Sequence, residues 1–357
     1  MPAEVEAWQQ SMQSGELLER EAVVTTRLAI NGFGRTGRAL YRAIVERQMN
    51  VDVVAVNDLG TPEQIARLLQ RDSVHGALRE PVTVDGGELV VGSQHSHLLH
   101  EPDVSLLPWR DIGVDVVAEC TGRNTTREHA AEHLGAGAAR VVVSAPCKGA
   151  DATFVIGVNE HTFDPDLHTV VSNASCTTNC FALMAKVLVD AFGIESGLMT
   201  TVHAYTGDQV LVDGLHKDPR RGRSGALNIV PTSTGAARST ALVLSGVEGR
   251  LDGTSLRVPV PDGSITDFTA LLERPTWVED VNAAFRAAAG SSLFPVLEYS
   301  SDPLVSSDIV GSTASCVFDS SLTMVKGRLV KVFGWYDNER GYSTRLAELC
   351  VLVGPVA

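Results

Sequence analysis

Residues 27–48 read RLAINGFGRTGRALYRAIVERQ. RLAIN is a short apolar run of strand character, GFGRTGR is a glycine-rich turn, and ALYRAIVERQ has helical spacing. Gly32, Gly34 and Gly37 therefore match G-x-G-x-x-G between a predicted strand and a predicted helix. In that setting the first glycine permits the tight turn. The second lets the backbone approach a pyrophosphate, and the third lets the helix pack on the strand. The unpaired N–H groups at the start of the helix then face the phosphates. A plain strand-to-helix turn carries the same local pattern, so a second signal is needed. The next apolar run, VDVVAV at 51–56, is followed by Asn57 and Asp58, and Asp58 lies 21 residues beyond Gly37. A carboxylate there accepts hydrogen bonds from ribose hydroxyls and repels a 2′-phosphate, which makes NAD the expected cofactor rather than NADP.

The same texture continues outward. DVVAEC (115–120) and RVVVSA (140–145) are further β-branched runs, as expected of strands buried on both faces. Between them TTREHAAEHLGAG reads as a helix closed by glycine. Strand–helix alternation at this spacing implies a doubly wound, mostly parallel, Rossmann-type α/β domain. The stretch 80–100 reads instead as an antiparallel hairpin turning at Asp85-Gly86-Gly87. After Cys176 a long apolar helix precedes GLMTTVHAYT, SLRVPVP, SITDFTALLE and RLVKVFGWYD. These point to an α+β catalytic domain with a largely antiparallel sheet. The expected organisation is an N-terminal extension over 1–26, a dinucleotide-binding domain over 27–175 and a catalytic domain over 176–337. The last helix, within 338–357, is expected to return to the first domain. Val5, Trp8 and Met12 give the extension the spacing of a short amphipathic helix.

The chain has 357 residues, 44% apolar and 20% charged, with a formal charge of −14. That charge argues against general nucleic-acid binding, which needs a basic surface. No apolar run reaches the roughly 18 residues of a membrane helix. The acidic N-terminus has neither a secretory nor an Arg-rich transit pattern, so a cytoplasmic location is expected. The six cysteines at 120, 147, 176, 180, 316 and 350 are then expected to be free thiols.

Two of those thiols lie in SNASCTTNC (172–180), at the polar entrance of the apolar helix. No second ligand pair at zinc spacing lies nearby, so no metal site is expected there. Cys180, one turn into the helix, reads as a small buried apolar residue. Cys176 begins the helix, where backbone N–H groups and the helix dipole favour a thiolate. It reads as a nucleophile, and His203, at the end of the strand-like GLMTTV run, reads as its base. His129 and His133 read as a helix surface, and His95, His97 and His100 as a hairpin face. Lys217, Arg220, Arg221 and Arg223 form a basic loop in an acidic protein, followed by Thr232, Ser233, Thr234 and Gly235. Arg257 lies in a strand, where an unpaired charge is costly. Arginines with hydroxyls and backbone N–H groups suit phosphate recognition. Lys217 and Arg223 read as a solvated surface.

In this order INGFGRTGR, VNDL, RDSVHG, SNASCTTNC, TTVHAYTGDQ, IVPTSTGAA, RVP and WYDNERGYS resemble the phosphorylating glyceraldehyde-3-phosphate dehydrogenase family, from about Arg27 to the C-terminus. The resemblance implies Cys176 as catalytic thiolate and His203 as its base, with NAD as cofactor. It implies glyceraldehyde 3-phosphate and inorganic phosphate as substrates, a thiohemiacetal and a thioester as intermediates, and a homotetramer. Thr206 and Arg257 are implied at the substrate-phosphate site. Ser175, Thr177, Thr234 and Gly235 are implied at the attacking-phosphate site, with Arg221 bridging the region. Phe33, Gly34, Arg35, Thr36, Asp58 and Thr121 are implied along the cofactor, and Asn338 at its nicotinamide carboxamide. Gly214-Leu215 match neither the usual NAD-type nor the NADP-type pair, so cofactor choice rests on Asp58 followed by Leu59. An erythrose-4-phosphate dehydrogenase is the alternative within this fold, against which STGAA (233–237) argues. A redox-sensing or interaction protein is the alternative outside catalysis.

Overall fold

The computed structural model describes residues 25–355, so the amphipathic reading of the N-terminal extension lies outside the described residues. Thr26–Asn31 forms the first strand, Arg35–Glu46 the helix after the glycine loop, and Val51–Asn57 the second strand. They belong to a nine-stranded sheet. Thr26–Asn31 lies between Val51–Asn57 on one side and Val116–Glu119 on the other, both parallel to it. Strand order therefore reverses around Thr26–Asn31, and in such sheets ligands bind in the crevice at the C-terminal strand ends of that point. Arg140–Val143, Val170–Ser172 and Ala152–Thr153 extend the parallel array. Gln94–Leu99 adds parallel to Val51–Asn57, and the expected hairpin, Val82–Asp85 with Glu88–Val91, closes that edge antiparallel. Most side chains of the central strands are buried, which is why these segments read as continuous β-branched runs.

The glycine loop shows why its residues are small. Gly32 has a φ of +91°. A Cβ on Gly37 would lie 2.2 Å from the Gly32 carbonyl oxygen, so the helix packs on the turn with no room for a methyl group. Gly34 has nothing within 4 Å of its Cβ position.

The second sheet has eight strands. Ile194–Ala204 and Leu251–Val258 run parallel at its centre, while Ser264–Leu272 and Leu329–Tyr336 add antiparallel. The helix Cys176–Phe192 is buried along most of its length in one apolar cluster with Phe268, Val330 and Val332 of that sheet. It follows directly on Val170–Ser172 of the first sheet, so the three-residue turn Asn173–Ser175 leads from the first half into the second. The last helix, Arg340–Leu352, sends Leu346, Ala347, Leu349 and Cys350 into the cluster of Leu28, Ile30 and Leu40, back on the first sheet.

The TTREHAAEHLGAG helix departs from expectation in two ways. It is interrupted at Ala131 into Arg127–Ala130 and Glu132–Gly135. His133 is not on a surface: it is fully buried, because the indole N–H of Trp109 donates to its Nδ1 at 2.9 Å and Nε2 faces Glu119 at 3.1 Å. An indole N–H can only donate, so the imidazole proton sits on Nε2 and points at the carboxylate.

Gly37→Ala is expected to destabilise the protein by about 1–3 kcal/mol, the usual cost of forcing a methyl into a packed contact. Gly34→Ala is expected to leave Tm unchanged. Thermal melts of the two variants check this, and the reverse order would contradict the packing account.

Candidate active site

At the strand-order reversal a cleft of about 660 Å³ is lined by Asn31, Gly32, Gly34, Asp58, Cys120 and Thr121, among others. The helix Arg35–Glu46 starts without a side-chain cap, so its first N–H groups are left for something other than a cap. Asp58 accepts the Phe33 N–H at 2.6 Å and the Gly60 N–H at 3.1 Å, which ties the carboxylate to the glycine loop. These features fit a dinucleotide: an uncapped helix start, open space over Gly34 and a carboxylate at the second strand end. The side chains of the expected Phe33 and Arg35 are both engaged within the protein. The Phe33 ring is buried edge-on against Tyr41, and the Arg35 guanidinium is engaged by Asp72 and by both oxygens of Glu339. Thr36 is half-buried on the first turn of that helix. Thr121 is held by its N–H and hydroxyl on Glu119. Burial alone would raise the Glu119 carboxyl, but hydrogen bonds from His133, Thr121, Asn124 and Asn31 hold it below the usual range.

The turn between the sheets presents Cys176. Ala174 adopts a φ of +55°, and Ser175 rather than Cys176 caps the helix, its hydroxyl accepting the Thr178 N–H at 3.0 Å. Cys176 Sγ lies 3.4 Å from His203 Nε2, next to the last residue of the strand Ile194–Ala204. The expected easy ionisation meets an opposing force. Burial pushes the Cys176 thiol up to about 11, while Arg257 and the Thr177 N–H pull it down. Cys176 keeps part of its surface open to solvent, which tempers that rise. Burial, then Arg257, pushes His203 down to about 3. Burial thus opposes a lone charge on either partner, at a distance that lets one proton be shared between Sγ and Nε2. Cys180 is fully buried, as expected.

Arg257 stands beside His203 in register on the adjacent parallel strand. One of its terminal nitrogens lies 2.6 Å from His203 Nδ1 and 3.1 Å from the Ala204 carbonyl oxygen, and Nδ1 also lies 2.7 Å from that oxygen. Two tautomers compete for this arrangement. If Arg257 donates to Nδ1, the proton sits on Nε2. If Nδ1–H donates to Ala204, Nε2 is free to accept the thiol proton. Among the described residues no carboxylate pairs with Arg257, and it is half-buried.

The other expected anion groups are placed less simply. Thr206 is half-buried, with its N–H on Gln209. Arg221 is held by Asp208 and by the Thr232 hydroxyl at 2.8 Å. The Thr177 hydroxyl lies 2.9 Å from the Tyr336 hydroxyl, and that of Ser175 lies 2.7 Å from Thr178. Thr234 accepts the Ala236 N–H, and Gly235 is exposed beside it. Arg223 pairs with Asp213 in the open, as a solvated surface should, and His95 and His97 both pair with Glu88 on the hairpin face. Asn338 is buried after the strand Leu329–Tyr336, with Oδ1 accepting from Ser264. Sequence reasoning missed Ser264, Tyr336 and the group formed by His75, Asp262 and Glu339. RDSVHG, PDGS and DNE carry that last group, but nothing in their separate spacing brings them together.

The family profile described as glyceraldehyde 3-phosphate dehydrogenase, NAD binding domain, matches residues 26–127, and that of the C-terminal domain matches residues 175–338. The chain is 55% identical over 328 residues to the glyceraldehyde-3-phosphate dehydrogenase of Kitasatospora aureofaciens, covering 92% of this chain and 99% of that protein. It is 51% identical over 331 residues to that of Geobacillus stearothermophilus, covering 92% and 98%. It is 52% identical over 337 residues to that of Mycobacterium avium, covering 93% and 99%. By these matches, and with a cysteine–histidine contact and a dinucleotide-type cleft in one chain, the chain belongs to the glyceraldehyde-3-phosphate dehydrogenase family.

Proposed function

We propose that this protein oxidises glyceraldehyde 3-phosphate with NAD and captures the acyl group with inorganic phosphate, giving 1,3-bisphosphoglycerate. The observation that carries the chemistry is the 3.4 Å contact of Cys176 Sγ with His203 Nε2, with Arg257, which has no carboxylate partner among the described residues, behind it. Sγ attacks the aldehyde carbon as the thiol proton passes by way of His203 to the carbonyl oxygen, forming a thiohemiacetal on Cys176. His203 then takes the hydroxyl proton as hydride leaves the carbon, and a thioester remains. A phosphate oxygen attacks that carbonyl, and the departing Cys176 sulfur regains its proton from His203. The covalent route divides one hard step into easier ones. NAD supplies the hydride acceptor, with Gly34, Thr36 and the backbone of Phe33 and Arg35 at its pyrophosphate, Asp58 at its ribose, Thr121 along the cleft and Asn338 at its carboxamide.

Arg257 with Thr206 would hold the substrate phosphate, and Ser175, Thr177, Thr234 and Gly235 the attacking phosphate, with Arg221 between. A half-buried guanidinium without a carboxylate partner supports the first assignment. It also links binding to chemistry. An anion that draws Arg257 off Nδ1 favours the tautomer with Nδ1–H on Ala204, in which Nε2 can take the thiol proton. Residues 27–175 with the last helix would form the NAD-binding domain and 176–337 the catalytic domain. A homotetramer, implied by the family resemblance, would give cover to exposed apolar side chains such as Leu198, Leu211, Val212, Leu227 and Ile229, and sedimentation would test it. A cytoplasmic location goes with this activity; no helix among the described residues is long and apolar enough to cross a membrane.

Arg257→Leu should lower kcat/KM for glyceraldehyde 3-phosphate by ~30-fold or more, as loss of a buried charged partner does, and change that for unphosphorylated glyceraldehyde far less. Arg223→Ala, an exposed pair, should alter neither. An unchanged ratio of the two aldehydes in Arg257→Leu would sink the phosphate assignment.

Alkylation by iodoacetamide reports the Cys176 thiolate directly. His203→Asn removes the proton acceptor 3.4 Å from Sγ and leaves a partly buried thiol with burial opposing its ionisation. Its alkylation should be about tenfold or more slower near neutral pH and should keep rising toward alkaline pH. An unchanged profile would show that His203 does not assist Cys176.

A further inference from the structure

The end of the His203 strand and the turn carrying Asn338 are joined by one fully buried side chain, Ser264. It is the first residue of Ser264–Leu272, which lies between Ile194–Ala204 and Leu329–Tyr336 in the second sheet. Its Oγ accepts the N–H of Ala204 at 3.1 Å and donates to Asn338 Oδ1 at 2.6 Å. A serine hydroxyl has a single proton. With the Ala204 N–H already directed at the oxygen, that proton is free for Asn338. Capture of Oδ1 settles which end of the amide faces inward. Among the described residues Asn338 Nδ2 has no hydrogen-bond partner, and it is not among the sealed, unsatisfied polar atoms.

We infer that Ser264 is a positioning residue: by holding Asn338 Oδ1 it turns the Asn338 NH2 group outward as a fixed donor for the carboxamide oxygen of the nicotinamide. The inference rests on the reading of Asn338 as the nicotinamide partner. The same hydroxyl holds the backbone N–H immediately after His203. The proton acceptor and the amide that orients the ring are thus set against each other by one atom. Without Ser264 the Asn338 amide is free to present either end, and the Ala204 N–H loses its acceptor.

Binding measurements with NAD and with ADP-ribose, which lacks the nicotinamide, test this without turnover. The variants are Ser264→Ala, Asn338→Ala and the double substitution, compared by titration calorimetry alongside ligand-free Tm. Ser264→Ala should weaken NAD by about 5–10-fold, the usual worth of one or two hydrogen bonds, and leave ADP-ribose unchanged. In the Asn338→Ala background it should have no further effect on NAD, since coupled residues are non-additive. If NAD and ADP-ribose weaken equally, or if the two substitutions add, Ser264 acts only through general structure and the inference fails. If Asn338→Ala weakens NAD selectively while Ser264→Ala does not, the inference fails and the Asn338 reading stands. If Asn338→Ala leaves the NAD to ADP-ribose ratio unchanged, that reading fails and the inference falls with it. Should Ser264→Ala not fold, Ser264→Cys, which keeps a weak donor, carries the comparison and should show a smaller selective loss of NAD.

Discussion

The site depends on a 3.4 Å contact between two groups that arrive from different directions. Cys176 is delivered by a helix that leaves the first sheet through a three-residue turn, and His203 by a strand at the centre of the second. Neither element alone fixes that distance. The helix is held by apolar burial against the second sheet, and the turn before it by Ala174 in the left-handed region and by the Ser175 cap. The Tyr336 hydroxyl lies within 2.9 Å of Thr177 and 2.8 Å of Thr201, so one buried phenol links the first turn of the Cys176 helix to the His203 strand. Burial opposes a lone charge on either partner, and the 3.4 Å contact lets one proton be shared between them.

The halves that bind cofactor and perform chemistry are also tied at a distance from the thiol. Arg35, at the start of the glycine-loop helix, grips both oxygens of Glu339, the residue after Asn338. His75 adds a contact to Glu339 at 3.1 Å. Asp262 sits beside them with its carboxyl pushed up to about 8 by burial, then by Asp337 and Glu339. This joins the phosphate end of the proposed NAD site to its nicotinamide end through protein rather than through the ligand.

Much of this was legible in the residues. GFGRTGR with Asp58 announced the first cleft because close packing demands glycine at fixed positions, and β-branched runs marked strands buried on both faces. Cys176 and His203 were legible as a helix start and a strand end, though only the fold brings them into contact. What escaped reading depends on tertiary neighbours. His133 looks like surface from its helical spacing and is buried because Trp109 and Glu119 satisfy both ring nitrogens. Arg35 falls in a cofactor motif, yet its side chain serves an ion pair 304 residues along the chain. Ser264 is one serine among many until two strand ends place a donor and an acceptor on either side of it.

The central claim is that Cys176 carries the acyl group and His203 moves its proton. Rapid mixing of enzyme and NAD with glyceraldehyde 3-phosphate, in the absence of inorganic phosphate, tests it most directly. The account predicts a burst of NADH approaching one equivalent per chain, with the acyl mass found on Cys176 by mass spectrometry and discharged when phosphate is added. It also predicts that His203→Asn slows the burst by about 10²–10⁴-fold, the usual worth of a positioned acid–base group. An acyl group on another residue, or a burst of undiminished rate in His203→Asn, would contradict it.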